Sequence, residues 1–189
     1  MQTGLCPKTQ ARCCAAGLLP ALLLLAAVSG CAGRQPGGEA LAIKDPHSFS
    51  NPAEVAVTHL TLLLDVDFSS RTIRAEASWK IRNLSGAREL RLDTRGLTIR
   101  RVQLLESGSI SEASFELGQE RPLLGQPLVV RIRPGTEEVL IAYETTGEAD
   151  ALQWLEPRQT AGRKQPFLFT QSQAILARTW IPCQDTPAV

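Results

Sequence analysis

Histidine is scarce in this sequence, which has only two among its 189 residues, His47 and His59. They lie too far apart to form a His-Glu-x-x-His pair, and a catalytic zinc ion needs three protein ligands and an open coordination position. His59 lies within a strand pattern with no neighbour that marks it as a general base, so no Ser/His/Asp or Cys/His set can be argued. A glycine-rich phosphate-binding loop is also missing. We therefore predict that this chain by itself carries no metal, no cofactor and no catalytic chemistry.

Cysteine is nearly absent from most of the chain. Four of the five cysteines lie within the first 31 residues, and only Cys183 lies beyond them. An internal disulfide is therefore impossible after Cys31, and a fold there must be stabilised by its hydrophobic core. Cys183 follows an apolar run and Pro182, which favours a small buried side chain over the alternative of a reactive thiol.

The sequence also has no basic excess. The whole chain carries a formal net charge of +1, and without Lys8 and Arg12, the only charged residues of the first thirty, this becomes −1. Proteins that bind nucleic acid need a cluster of Lys and Arg to neutralise phosphates. We therefore expect no nucleic acid partner.

Residues 1–30 have the features of an export signal: two basic residues and then an apolar run at 13–27. The closing sequence Val28-Ser-Gly-Cys31 resembles the lipobox of bacterial lipoproteins, which implies that Cys31 is lipidated and becomes the first mature residue. An uncleaved membrane helix or an ordinary signal peptide is the alternative, although the run is short for a span and contains Pro20. Residues 31–44 are rich in glycine and small residues, which predicts a flexible tether. Lipidation would place the protein in the bacterial cell envelope, and Ala32 favours the outer membrane.

The remaining residues, 45–189, are enough for one domain with a core. From Leu60 to Phe68 apolar residues alternate with polar ones, and after a turn at 69–71 the alternation resumes from Ile73 to Ile81. This period of two predicts a long hairpin with one buried face. Further strands are predicted at 89–93, 97–105, 113–117, 128–133 and 139–145, separated by glycine-rich turns. The fold class is therefore all-β, an antiparallel sandwich or open saddle.

The three tryptophans could stack on sugars or lie in a core. Trp79 alternates with predicted core residues, and we expect it to be buried. Trp154 and Trp180 are flanked by apolar residues, which favours packing in a core or at a domain interface.

The segment from Lys164 to Val189 contains most of the functional information. An apolar run at Phe167, Leu168 and Phe169 suggests a buried strand, and Gln171 and Gln173 follow it on one face of an extended backbone. Buried amides need hydrogen-bond partners, which are either neighbouring backbone groups or a ligand. The residues alone leave both possibilities open.

Several motifs between residues 45 and 189 occur together in one known family. They are Asp45-Pro-His-Ser-Phe-Ser-Asn-Pro52, Leu92-Asp-Thr94, Ala151-Leu-Gln-Trp-Leu155, Gln171-Ser-Gln-Ala174 with Arg178, and Pro182-Cys-Gln-Asp-Thr-Pro187. In this order they resemble the N-terminal β domain of the zinc aminopeptidases of peptidase family M1, in the leukotriene A(4) hydrolase-like branch. The resemblance covers about residues 45–189 and implies a saddle-shaped β domain, with zinc bound elsewhere in the full-length enzyme.

The resemblance also implies roles for three residues. Gln173 would help to bind the free amino group of a peptide substrate, Gln171 would line the pocket for its first side chain, and Ala174 completes this substrate-binding set. An amide at Gln173, where many broad aminopeptidases have a carboxylate, indicates the leukotriene A(4) hydrolase-like branch. Ser172, where relatives often have cysteine, departs from the family pattern, as do Leu176 and Ala177.

The sequence therefore predicts the N-terminal, cleft-lining β domain of a lipid-anchored zinc aminopeptidase, inactive without its catalytic domain. It would meet a peptide N-terminus as substrate only together with that domain, and its membrane contact would be through Cys31. The chain stops at Val189, where relatives continue, so we expect a β domain that is incomplete at its C-terminus and that self-associates through an unpaired sheet edge. The alternative is a stand-alone β-sandwich binding module of the envelope that kept the family fold.

Overall fold

The computed structural model describes residues 45–189, and all strands in this range run antiparallel to their neighbours. The strands are β1 (Val55–Asp67), β2 (Thr72–Asn83), β3 (Glu89–Thr94), β4 (Leu97–Glu106), β5 (Ser109–Glu112), β6 (Phe115–Leu117), β7 (Gln126–Arg131), β8 (Glu138–Thr145), β9 (Leu152–Leu155) and β10 (Phe167–Thr170). Two short 3-10 turns, Pro157–Gln159 and Ala177–Thr179, complete the description. The predicted all-β antiparallel class is confirmed.

The predicted hairpin is the longest element pair of the fold. β1 and β2 pair from Val55 opposite Asn83 to Asp67 opposite Thr72, with a register shift between Val57 and His59. Alternation predicts which β2 side chains turn inward, and these are buried: Ile73, Ala75, Ala77 and Trp79. β1 is less well covered, because it lies at the edge of its sheet; Leu64, for example, is 39% exposed.

The core lies between two sheets. The five-stranded sheet has the order β1-β2-β8-β4-β5, and the three-stranded sheet has the order β3-β7-β6. Buried residues of both sheets form one cluster, which includes Leu90, Leu92, Leu128 and Val130 from the smaller sheet and Val139, Ile141, Val102 and Leu104 from the larger one. The predicted strands at 89–93, 97–105, 113–117, 128–133 and 139–145 are therefore present, whereas β5 and β9 are not among the predicted strands.

The last two strands form a separate two-stranded sheet, in which Phe167 pairs with Leu155 and Thr170 with Leu152. The strand predicted at 167–169 exists, but the prediction that it is buried was wrong. Phe167 and Phe169 are 54% and 45% exposed, and only Leu168 packs against the core. An apolar run cannot show by itself whether one or both faces of a strand are covered.

The tryptophans Trp79 and Trp154 and the cysteine Cys183 pack as the sequence predicts. Trp79 is buried and its indole Nε1 donates to the Pro182 carbonyl at 2.8 Å. Trp154 packs partly against the core and meets Phe68 edge to face, with ring centroids 5.5 Å apart. Cys183 is a free, buried cysteine, as predicted. Among residues 45–189 no helix has the length and apolar character needed to span a membrane.

Candidate functional site

Gln171 and Gln173 lie just after β10, at the start of a turn, and both residues are exposed to solvent. The Gln171 N–H donates to the Ala151 carbonyl at 2.9 Å, and the Gln171 Oε1 accepts the Gln173 N–H at 3.0 Å. Within residues 45–189, the Gln173 carboxamide makes no hydrogen bond. The expectation that these amides end a buried strand and require partners was therefore wrong, because the preceding strand is itself exposed.

Hydrogen bonds close residues 171–180 into what we call the glutamine turn. Ser172 accepts twice: its carbonyl from the Leu176 N–H at 2.9 Å, and its Oγ from the Trp180 Nε1 at 3.1 Å. Thr179 Oγ1 accepts the Ala151 N–H at 3.1 Å, which attaches the end of the turn to the start of β9. The peptide bond between Gln173 and Ala174 is cis. The hydroxyl of Ser172 thus holds the Trp180 ring through a hydrogen bond.

Arg178, near the end of the glutamine turn, forms an ion cluster with Asp93 and Asp185. Arg178 and Asp93 are completely buried, whereas the Asp185 side chain is 12% exposed. The Arg178 Nε donates to Asp185 Oδ2 at 2.9 Å, and its Nη1 lies 3.7 Å from Asp93 Oδ1. The charge of a buried guanidinium is tolerated only when it is paired and its donors are satisfied.

Asp93 receives hydrogen bonds from two other parts of the chain. Ser48 Oγ donates at 2.5 Å and the Phe49 N–H at 2.7 Å, while the Asp185 N–H donates at 3.0 Å. Burial raises the pKa of the Asp93 carboxyl, and these hydrogen bonds together with the charge of Arg178 oppose that shift. The motif around residues 45–52 is therefore held next to the C-terminal segment by one carboxylate.

An open groove runs beside the glutamine turn. Its lining includes Ala174, Ile175, His47 and Thr186, but neither Gln171 nor Gln173. The structure thus places Ala174 in the lining of this groove, whereas the two glutamines do not line it. It does not test the substrate-binding roles of the three residues, which stay predictions.

Sequence reasoning missed the ion cluster. Arg178, Asp93 and Asp185 each occur in one of the quoted motifs, but the sequence alone assigns none of them to a shared cluster. The sequence contains one signal for Asp93, which is a carboxylate that directly follows Leu92 in a short predicted strand. In the structure the last three residues of this strand are buried.

The histidines do not supply a zinc site. His47 is exposed and lies 3.4 Å from Asp45, and His59 is an exposed residue of β1. Over residues 45–189 there is no group of three or more His, Cys, Asp or Glu side chains that could hold a metal ion. The described residues therefore do not fit a zinc ion.

The fold is similar to parts of several solved enzymes. The native leukotriene A4 hydrolase of yeast superposes with a TM-score of 0.69 at 35% identity, over 77% of this chain and 23% of that chain. A mutant M1 zinc metallopeptidase of Deinococcus radiodurans gives a TM-score of 0.53 at 18% identity, over 73% of this chain and 30% of that chain. The second likeness is one of fold alone.

Sequence comparison gives the same answer. This chain is 40% identical to leukotriene A-4 hydrolase of Xenopus laevis over 151 residues, which are 77% of this chain and 24% of the relative. It is 36% identical to leucine aminopeptidase 2 of Yarrowia lipolytica over 149 residues, 77% of this chain and 22% of that protein. The chain thus spans about a quarter of the length of these relatives. The family model of the peptidase M1 N-terminal domain matches residues 56–189, and the chain therefore belongs to that family.

Proposed function

We propose that residues 45–189 are the N-terminal β domain of an M1 zinc aminopeptidase, and that the glutamine turn contacts the N-terminus of a peptide substrate. The observation that carries this proposal is the exposed Gln173 carboxamide, which has no hydrogen-bond partner within residues 45–189 and lies on a turn fixed from below by buried charges. Its oxygen can accept an N–H of a substrate ammonium group, and such a charge-assisted hydrogen bond is stronger than a neutral one.

Relatives support the choice of substrate. One of the similar proteins is a leucine aminopeptidase, and one solved structure is a yeast leukotriene A4 hydrolase in complex with bestatin. A Deinococcus radiodurans enzyme of the same fold was solved with a Tyr-Ser-Ala substrate. Zinc would be held by a catalytic domain that is not among the described residues.

The test is a fusion protein in which this chain replaces the matching quarter of the Xenopus laevis relative. Gln173→Ala should lower kcat/KM for an aminoacyl arylamide by about 10- to 100-fold, which corresponds to losing one hydrogen bond to a charged group. Gln173→Glu should retain activity, because a carboxylate also accepts from an ammonium group.

Gln119→Ala is the matched control, since Gln119 is an exposed glutamine in the loop after β6. It should leave kcat/KM unchanged. An active fusion in which Gln173→Ala behaves like this control would refute the substrate contact.

We also propose that residues 32–189 alone bind no catalytic zinc and hydrolyse no arylamide, because the described residues offer no ligand set. Metal analysis after dialysis against zinc, with an arylamide assay on the same sample, checks this. One tightly held zinc ion per chain with turnover would contradict it.

The proposed enzyme is anchored in a bacterial envelope through lipidated Cys31, which lies outside the described residues. The support is the sequence Val28-Ser-Gly-Cys31 after an apolar run. Cys31→Ala should abolish fatty-acid labelling and leave the precursor unprocessed, whereas Cys14→Ala should change neither. Equal labelling of the two variants would mean that the anchor is elsewhere or absent.

A further inference from the structure

We propose that Arg178 is a positioning residue, which holds the glutamine turn in place by joining it to Asp185 and to the loop between β6 and β7. The proposal rests on the proposed function for its consequence in catalysis, but its structural part can be tested without that function. Arg178 does not touch the predicted substrate position, so its effect would pass through the turn.

All three nitrogens of the Arg178 guanidinium donate hydrogen bonds. Its Nε donates to Asp185 Oδ2 at 2.9 Å, its Nη2 to the Asp185 carbonyl at 3.1 Å, and its Nη1 to the Leu124 carbonyl at 3.1 Å. These acceptors lie in two segments that are far apart in sequence. A planar fork of donors can satisfy such a set at once, whereas the ammonium of a lysine is a single point charge.

A chain of hydrogen bonds connects Arg178 to the two glutamines. The Arg178 carbonyl accepts the Arg95 N–H at 2.8 Å, which fixes the backbone of Arg178 against the end of β3. The next residue, Thr179, accepts the Ala151 N–H, and the Ala151 carbonyl in turn accepts the Gln171 N–H at 2.9 Å. Gln171 then accepts the Gln173 N–H through its side chain. Every link between Arg178 and Gln173 is therefore a hydrogen bond or a peptide bond.

Holding the glutamine turn in position is a different role from stabilising the fold. Replacing a buried ion pair by apolar residues is often neutral or even stabilising, so stability alone does not explain a buried arginine. The geometry of the guanidinium does explain it, because its donors set the distances between the glutamine turn, the Leu124 carbonyl and Asp185. The consequence is that a variant can regain stability without regaining the position of the turn.

The experiment is hydrogen exchange, followed residue by residue, on the full chain in a mild nonionic detergent that accommodates the apolar run at 13–27. The variants are Arg178→Lys, Arg178→Gln, and the double variant Arg178→Gln with Asp93→Asn, which removes both completely buried charges and leaves only that of Asp185, whose side chain is 12% exposed. We expect the amides of Gln171 and Leu176 to exchange about tenfold faster or more in all three, because the fork is lost in each.

Amides of β2 and β8 serve as internal references. In the double variant they should keep their protection while the glutamine turn stays fast, which only a positioning role predicts. Arg101→Gln is the matched control, since Arg101 is an exposed arginine paired with Glu76 at 3.9 Å. It should change no amide of the turn.

Three outcomes would overturn the proposal: unchanged exchange at Gln171 and Leu176, equal acceleration in β2 and β8 of the double variant, or recovery of the turn in that variant. In the fusion protein, Arg178→Lys should raise KM by about tenfold with kcat nearly unchanged, the pattern of lost substrate binding. Faster exchange of the turn, together with Gln173 substitutions that leave kcat/KM unchanged, would leave the positioning role intact and refute only the proposed function.

Discussion

Tyr143 is a single residue whose environment differs from that of the other buried polar groups. Its side chain is buried on β8, and its hydroxyl is the one buried side-chain oxygen or nitrogen without a hydrogen-bond partner among the described residues. Burial raises the pKa of this phenol. An unsatisfied buried hydroxyl costs free energy that a phenylalanine does not.

We therefore predict that Tyr143→Phe increases the free energy of unfolding, by about 1 kcal/mol. The matched control is Trp79→Phe, which removes the indole donor that bonds to Pro182 and should be destabilising. Urea unfolding of residues 32–189 followed by circular dichroism measures both. A loss of stability in Tyr143→Phe would show that the hydroxyl has a partner.

The raised pKa of Asp93 makes a prediction about pH. A carboxyl whose pKa is higher in the folded chain gains stability by protonation, and that gain is lost as pH rises through the folded pKa. Asp93→Asn cannot take up this proton. The difference in unfolding free energy between wild type and Asp93→Asn should therefore shift in favour of the wild type as pH falls from 7 toward the ordinary aspartate value of 3.8.

Asp67 is a control of opposite sign. Hydrogen bonds from the hydroxyls of Ser69 and Ser70 lower the pKa of Asp67, so its contribution is present above its ordinary value and is lost only as pH falls further. Unfolding curves of Asp93→Asn and Asp67→Asn over the same pH series separate the two cases. A wild-type advantage over Asp93→Asn that shrinks between pH 7 and 4 would contradict the raised pKa.

At the scale of elements, the loop between β6 and β7 shows how backbone geometry supports the ion cluster. Gly125 ends this loop with a φ of 75°, and a Cβ built there would collide with the Thr94 carbonyl and lie 2.7 Å from the Arg95 Cβ. Leu124, one residue earlier, offers its carbonyl to Arg178. The loop can therefore reach Arg178 only because residue 125 has no side chain.

Gly125→Ala should destabilise the domain by about 3 kcal/mol or more, since the collision with backbone adds to the cost of a positive φ. Gly108→Ala is the matched control, because Gly108 has a φ of 79° but nothing within 4 Å of the added Cβ. It should cost only about 1 to 2 kcal/mol. Equal midpoints of thermal unfolding for the two variants would show that the loop can move away from β3.

At the scale of the whole molecule, the outer face of the five-stranded sheet differs from its edge at β1. Its outer face carries ion pairs between strands, such as Arg100 with Glu144 at 3.0 Å, and needs no cover. Its edge at β1 is different: among residues 45–189 this strand pairs only with β2, and Leu63 is 73% exposed. A long apolar edge is a template for pairing with another chain.

We therefore predict that residues 32–189 self-associate through β1, and that Leu63→Lys shifts the protein toward the monomer. Charges on an edge strand are a common means of preventing such pairing. Ile110→Lys is the matched control, since Ile110 is exposed on β5 at the other edge of the same sheet. Sedimentation velocity over a range of concentrations measures the association. Equal effects of the two substitutions, or a monomer at all concentrations, would contradict it.

The sequence by itself determined the all-β class and most of the strands, because side chains in a strand alternate between two faces and the pattern can be read locally. It determined the inward face of β2, from Ile73 to Trp79, and the family, through motifs whose order needs no structure. The burial of Cys183 also followed from its neighbours in sequence.

Only the tertiary structure decided which segments cover one another. It exposed Phe167 and Phe169, whose apolar run suggests a buried strand, and with them Gln171 and Gln173. It buried Arg178 with Asp93, two charged residues that a sequence rule places at the surface. The physical reason is that burial depends on contacts between distant segments, and a charge is buried only where its partners from other elements arrive together.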